Sequence, residues 1–581
     1  MVGPSDSPLL LLGAVSLDGA PLPPCPHGCE TIVYGRASCL FRTGSSRELH
    51  LLREGPVLLA IAGRTFSPFA IHPGAAGIDE SLRRLEREGP RGTQGSFAIV
   101  RLEGDGGVRL AADRYGFRPL FYRRHGGVLL FATHLRGIAM LAPLPGCDPE
   151  ALLHYYNFGV TPNDRTLLDG VRKVPPGAML EASGGTFRVG SYFRLGRLHD
   201  PAAFAGATEE DLCREIDARL GRAVERRIGG EAVVGAALSG GVDSGLLAAK
   251  ARQGGATVVG YTLAYGRSYD EFPRVDFLAE ALKIEVRKIR VAPGEVIANF
   301  EHASGVASEP IGFNNATMRF VALAAREDGV STLLDGDGAD RLFLGMRRHR
   351  GYARLLRAYA WLERRGLLPF VTPALTRLPW NELRKAGLHF ENWRRGIPPY
   401  AERGLGRVGR YDEDYERRVY SLAVARHRES FLREVGEGDF GLFFTWLAVQ
   451  MCPEMFFHHP LELQQDLGLL PAPAFWDDEV VKIALSLSTG WKLRDGSTKY
   501  ILRRAAARTL DARYWQLPKI GLPSAYAFAV ASPEGRAWRA RRLEEARAMP
   551  EAALLADLVP GGKVDPGRLL PLAVWKARHG L

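Results

Sequence analysis

Residues 232–252 read AVVGAALSGGVDSGLLAAKAR. The apolar run from Ala232 to Leu238 predicts a buried parallel strand. It breaks into Ser239-Gly240-Gly241-Val242-Asp243-Ser244, and a helical pattern follows at once. A strand, a glycine-rich turn and a helix N-terminus in that order form an anion trap. The glycines let backbone N–H groups close on phosphate oxygens, and the helix dipole favours negative charge at that end. Ser239 and Ser244 add hydroxyl groups, and Asp243 is a carboxylate suited to Mg2+. The loop has no Lys-Ser/Thr pair after its last glycine, so it is not a Walker loop.

From about residue 207 the chain alternates amphipathic helices with short apolar strands. TEEDLCREIDARLGRAVERRI (208–228) opens on a threonine N-cap and an acidic first turn. After the strand at 232–238 come a helix, TVVGYTLA (257–264), a helix over 274–283, VRKIRV (286–291) and VSTLLDG (330–336). Strands spaced by helices predict a doubly wound parallel sheet, with ligands at the strand C-termini. Residues from about 343 to 581 read as mostly helical.

The first part, to about residue 190, is different. It is rich in Gly and Pro, with short alternating runs at 57–67, 95–103, 107–114, 119–124 and 128–133. These predict antiparallel strands joined by tight turns, with one helix near 78–88. PLLLLGAV (8–15) reads as a first strand. Pro175-Pro176-Gly177, inside GVRKVPPGAML (170–180), stops regular structure and marks a connector.

At 581 residues the length suggests two to four domains. Hydrophobic content of 46% and charged content of 24% are ordinary for a globular protein. No apolar run reaches the roughly 18 residues of a membrane span. No basic residue precedes the apolar stretch at 8–15, so no signal peptide is expected. Six cysteines (25, 29, 39, 147, 213 and 452) in so long a chain fit a reducing compartment, and the expected location is cytoplasmic. Cys25-Pro-His-Gly-Cys29 has no second Cys/His pair of matching spacing and reads as a loop with incidental thiols. The net charge of +11 is almost all arginine, which suits an acidic partner such as ATP or an acidic peptide. The basic residues are scattered without interleaved aromatics, so no nucleic-acid partner is expected.

A second carboxylate cluster, Asp335-Gly336-Asp337-Gly338-Ala339-Asp340, follows the strand at STLL. It leaves the same sheet edge as the glycine loop. Chemistry at an α-phosphate needs carboxylates that hold Mg2+ against the leaving pyrophosphate, and Asp243 and Asp340 are the expected pair. Two lysines complete the set: Lys499 in DGSTKYILRRAA (495–506) and Lys519 in LPKIGLPSAY (517–526). They can neutralise the triphosphate and the charge that develops on adenylation and amide formation.

SGGVDS resembles the pyrophosphate loop of the N-type ATP pyrophosphatases, which cut ATP between its α- and β-phosphates. The chain as a whole resembles the asparagine synthetase superfamily. The motifs that carry this are GSFAIV, Asp113-Arg114-Tyr115-Gly116, LLDGVRKVPPG, SGGVDS, Tyr269-Asp270-Glu271, GDGAD, PAFWDDEVV (473–481), STKYILR and PKIG. The resemblance implies an Ntn-hydrolase-like αββα sandwich over 1–190. Over 191–581 it implies a doubly wound parallel-sheet pyrophosphatase-loop domain with a helical C-terminal part. It further implies that Ser239, Gly240, Gly241, Asp243 and Ser244 hold pyrophosphate and Mg2+, with Asp340 as the second metal ligand. Leu238, Leu263 and Gly336 would border the adenosine. Lys499 and Lys519 would contact phosphates and the tetrahedral intermediate, and Asp337 is the candidate to take the amine proton.

Two departures shape the expected function. A working glutaminase of this kind needs a cysteine directly after the initiator methionine, whereas this chain begins Met1-Val2-Gly3-Pro4. The family's asparagine-bearing glutamine pocket aligns with Ala62-Gly63-Arg64, which has no asparagine. The amine is then expected to belong to the substrate. Resemblance to the lasso peptide macrolactam synthetases implies an acyl-AMP on an Asp or Glu side chain, attacked by the peptide's own N-terminal amine. It also implies a lasso precursor core as substrate, with a leader-binding protein and a leader peptidase as partners. β-Lactam synthetases and an ammonia-dependent asparagine synthetase are the alternatives.

Overall fold

The computed structural model describes the chain apart from residues 1–9, 36, 44–47, 68–77, 184–185, 266–271, 380–382, 384–385, 388–389, 392–425, 437–439, 452–457 and 512–523. Its N-terminal part holds twelve strands among the described residues: β1 (Leu10–Ser16), β2 (Glu30–Tyr34), β3 (Ser38–Thr43), β4 (Leu49–Glu54), β5 (Val57–Ser67), β6 (Gln94–Glu103), β7 (Val108–Ala112), β8 (Phe121–His125), β9 (Val128–Ala132), β10 (Val171–Lys173), β11 (Ala178–Ser183) and β12 (Thr186–Ser191). They form two antiparallel sheets, ordered β10-β8-β9-β1-β3-β2 and β12-β11-β7-β6-β5-β4.

Alternation along each strand puts one apolar set between the sheets and another against helices. Leu11, Leu40, Leu129 and Phe131 of the first sheet meet Ala60, Val100 and Leu110 of the second. On the outer face of the first sheet, Leu10, Leu12 and Leu130 pack against the helices Leu135–Leu141 and Pro149–Phe158. On the outer face of the second, Leu59, Ile61 and Ile99 pack against Leu82 and Leu85 of the helix Ile78–Glu88. The order is helix, sheet, sheet, helix. Sheets buried on both faces need this double apolar pattern, because polar outward residues would leave the helices nothing to cover.

The segment at 170–180 is more than a connector. Pro175-Pro176-Gly177, with Gly177 at φ +64, breaks the chain between β10 in one sheet and β11 in the other. The proline pair does stop regular structure, and the break is also the crossing point between the two sheets.

The second part contains a five-stranded parallel sheet: β13 (Val233–Ala237), β14 (Thr257–Tyr265), β15 (Glu285–Val291), β16 (Thr332–Leu334) and β17 (Leu470–Ala472), in the order β15-β14-β13-β16-β17. Its chain runs outward from β13 to β15 and then returns to the other side of β13, so the winding reverses between β13 and β16. Val234, Ala236 and Val258 face the helices Glu209–Ile228 and Val242–Gln253. Tyr261 and Leu333 face the helix Met318–Glu327. β17 lies within the stretch read as mostly helical. Its three residues, Leu-Pro-Ala, carry no periodicity, and Pro471 is tolerated because the strand is at the sheet edge.

The two parts are joined by buried polar contacts. Lys173 Nζ donates to Glu309 Oε2 and to Thr161 Oγ1, each at 2.8 Å, and Thr161 Oγ1 donates to Glu309 Oε1 at 2.6 Å. The side chains of Lys173 and Glu309 are 3% and 9% exposed. Removing one partner of such a pair leaves an uncompensated buried charge. Lys173→Met is expected to lower stability by about 3–5 kcal/mol, read as a shift in the urea midpoint.

Candidate functional site

The site forms where β13 and β16 end side by side. Leu238 extends β13 by donating its N–H to Tyr261 O at 2.7 Å, and its side chain is buried against Gly260. Gly240 then turns the chain at φ +60, which only glycine adopts without strain. Gly241 is the N-cap of the helix Val242–Gln253 and supplies no capping side chain. A helix N-terminus that begins on a glycine turn favours negative charge and suits an anion. Ser239 and Ser244 face each other across this loop, with hydroxyl oxygens 3.4 Å apart, and Ser244 Oγ accepts from Ser239 N–H at 3.3 Å.

The loop after β16 packs directly on this turn. A Cβ on Gly336 would lie 2.9 Å from Ser244 N and 3.2 Å from Asp243 Cβ, so only glycine lets the two loops come this close. Asp335 Oδ1 accepts the Asp337 N–H, and Asp337 Oδ1 accepts the Gly338 N–H, both at 2.7 Å. Asp337 also lies 3.7 Å from the Arg341 guanidinium and is partly exposed. Burial, with the Asp337 charge beside it, pushes the Asp335 carboxyl up to about 7.

Lys499 ties the carboxylates together. Its ammonium pairs with both Asp243 and Asp340. The approach is built by a hairpin, Leu493–Arg494 with Ser497–Thr498, whose turn residues Asp495 and Gly496 are both left-handed. Asp-Gly is the pair that a two-residue hairpin turn favours. Lys499 itself is left-handed at φ +53, an uncommon conformation for lysine that costs of order 1 kcal/mol. Burial pushes its ammonium down, but Asp243 and Asp340 outweigh this and hold its pKa above the ordinary lysine value.

Two hard carboxylates converging on one cation fit Mg2+. This ion retains several waters and is normally bound by one or two carboxylates plus substrate phosphates. Among the described residues no group of three or more His, Cys, Asp or Glu could hold a metal, so Asp243 and Asp340 would need the phosphates to complete a shell.

The structure thus brings together Ser239, Gly240, Gly241, Asp243, Ser244, Gly336, Asp340 and Lys499, with Asp337 on the same loop. Leu263 lies on the neighbouring β14 and packs partly buried against the clusters around Tyr265 and Tyr261. Lys519, Tyr269-Asp270-Glu271 and the PKIG motif lie outside the described residues. Gly345 was missed by sequence reasoning: a Cβ there would collide with Asp340 and Lys499. Its only signal was a glycine five residues after Asp340.

In the first part, Arg64 lies in a buried charged network. Arg64, Glu48 and Arg118 are all buried and ion-paired, and Arg64 Nη1 donates to the Arg227 carbonyl at 3.4 Å.

Two outcomes check this geometry. Lys499→Met removes the cation between Asp243 and Asp340, so the variant should melt below the wild type in metal-free solution. Added Mg2+ should then raise its melting temperature more than the wild type's. Asp335 keeps its proton to a higher pH when folded than when unfolded, so the unfolded chain releases it first and stability falls as pH rises from about 4 to about 7. Asp335→Asn removes that penalty, and denaturation midpoints across this range should show the variant gaining on the wild type as pH rises.

Comparison with known proteins agrees with both parts. The asparagine synthase family model matches residues 215–560, and a glutamine amidotransferase domain model matches 84–193. Asparagine synthetase [glutamine-hydrolyzing] 1 of Bacillus subtilis is 25% identical over 76% of this chain and 70% of its own length. A putative asparagine synthetase [glutamine-hydrolyzing] of Mycobacterium tuberculosis is 28% identical over 71% of this chain and 64% of its own length. A solved allosteric regulatory enzyme of purine biosynthesis overlays on 50% of this chain and 76% of its own at 13% identity, with a TM-score of 0.19. Among the described residues no helix is long and apolar enough to cross a membrane. The chain belongs to the asparagine synthase family, ATP-dependent enzymes that form carbon–nitrogen amide bonds.

Proposed function

We propose that this enzyme joins an amine and a carboxylate of one substrate, as a lasso peptide cyclase. It closes a macrolactam between a peptide's N-terminal amine and an Asp or Glu side chain. The observation that carries this reading is the contrast between the two parts. Arg64, which the family resemblance aligns with the glutamine pocket, is buried in a network with Glu48, Arg118 and the Arg227 carbonyl. The loops that would take ATP are meanwhile complete in their glycines, hydroxyls and carboxylates. An enzyme so built draws its amine from the substrate instead of from glutamine.

In this mechanism the substrate carboxylate attacks the α-phosphorus of ATP, pyrophosphate leaves, and an acyl-AMP remains. The N–H groups at the start of the helix Val242–Gln253, with Ser239 and Ser244, would hold the pyrophosphate oxygens. Asp243 and Asp340 would hold Mg2+, which neutralises phosphate charge when bound. Lys499, seated between those carboxylates, would turn to the phosphates. Leu238, with its side chain buried, would offer its backbone to the adenosine, beside Gly336 and Leu263. The amine then attacks the acyl carbon, AMP departs, and the amine proton passes to Asp337 on the loop edge. Holding both ends of one peptide together supplies the effective concentration for ring closure. Such a peptide would reach the enzyme from a leader-binding protein and a leader peptidase.

The relatives' names favour a second reading, an ammonia-dependent asparagine synthetase. One assay separates the two. The protein is incubated with Mg·ATP and leaderless core peptides, and separately with aspartate plus ammonium. The cyclase reading expects AMP and a peptide lighter by one water. Asparagine with AMP, and no change in any peptide, would sink it.

A further inference from the structure

Two motifs from opposite ends of the chain meet behind the synthetase site. Tyr115 Oη donates to Asp478 Oδ1 at 2.7 Å, and the Arg114 guanidinium pairs with the same carboxylate. The adjacent Asp477, fully buried, accepts from Arg226 Nη2 at 2.7 Å and from Arg226 Nε at 3.1 Å, and lies 3.6 Å from Arg227 Nη1. Both aspartates follow Trp476, which is itself fully buried. The Trp476 ring lies against Tyr115 and Phe117, with centroids 5.9 Å and 6.3 Å away.

Trp476 also packs against the 335–340 loop. A Cβ on Gly338 would come 2.5 Å from Trp476 Nε1 and 3.1 Å from Phe475 Cβ. Gly338 is the left-handed residue, at φ +101, that turns the 335–340 loop and caps the short helix carrying Asp340. The segment 474–476 leaves the end of β17, and the 335–340 loop leaves the end of its neighbour β16. Tyr115, held by its hydrogen bond to Asp478, thus packs on Trp476, and Trp476 packs in turn on Gly338.

We propose that Tyr115 is a positioning residue: through Asp478 and Trp476 it holds the 335–340 loop in the pose that takes Mg·ATP. The glutaminase-like part then serves as a buttress for the synthetase site, whatever its own catalytic state. This rests on the reading of the 335–340 loop as part of the ATP site.

The test uses the full-length protein and α,β-methylene-ATP with Mg2+, a nucleotide whose α–β bridge cannot be cut. Affinity is measured by calorimetry and stability by thermal melting. Tyr115→Phe keeps the ring against Trp476 and removes only the hydroxyl; it is expected to weaken binding by about threefold or more, the scale of one hydrogen bond. Asp478→Asn is expected to do the same, and the double variant no more than either single change, since both break one coupled path. Tyr156→Phe is the matched control. The Tyr156 hydroxyl accepts the Asp565 N–H at 2.8 Å at another contact between the two parts, away from Trp476. It is expected to lower the melting temperature without changing affinity. Unchanged affinity in Tyr115→Phe and Asp478→Asn, or an equal loss in Tyr156→Phe, overturns the proposal. A wild type that binds no nucleotide overturns the ATP-site reading and the proposal with it, a result that the variants alone cannot produce. Should Tyr115→Phe fail to fold, Asp478→Asn, which removes the carboxylate charge that the Tyr115 hydroxyl and the Arg114 guanidinium share, carries the same expectation alone.

Discussion

The pairing of Lys499 with Asp243 and Asp340 is the constraint on which the site depends. Three groups from distant parts of the chain reach one point only because β13 and β16 are neighbours and the winding reverses between them. At such a reversal ligands bind at the carboxyl ends of the strands. Glycine at 336 and 345 then removes the side chains that would hold the loops and the lysine apart. Without a cation, two carboxylates at this distance would repel. The lysine is thus as much a part of the fold as of the chemistry.

The same logic explains why charge is buried elsewhere in the molecule. The Lys173–Glu309–Thr161 triangle, the Arg64–Glu48–Arg118 network and the Asp477–Asp478 pair all sit between the two parts of the chain. Each buried charge there has a partner, as the cost of desolvation demands. Directional polar contacts specify one relative pose, which a purely apolar seam would define less sharply.

Much of this was legible in the residues. The strand, turn and helix at 232–252 are a local pattern, and local patterns need no tertiary information to be read. The helix at Glu209–Ile228, capped by Thr208, and the strands β5, β6 and β9 follow from capping and alternation in the same way. β17 was not legible, because three residues containing a proline have no period, and only the vacant edge of β16 makes them a strand. Gly345 was missed for a similar reason: its importance lies in what occupies the space where a Cβ would be.

By itself, then, the sequence determined the chemical inventory: a phosphate-type loop with one aspartate, a carboxylate cluster at 335–340, and a lysine behind an Asp-Gly turn. Residue identity and short-range spacing are enough for that, since they decide which groups exist and which turns they can make. Only the tertiary structure decided which of those groups meet. It placed Lys499 between Asp243 and Asp340, turned Arg64 into a strut on the Arg227 carbonyl, and set Tyr115 against Trp476 and Asp478. Those meetings join residues from about 160 to about 360 positions apart, and packing and strand order, which no local pattern encodes, bring them about.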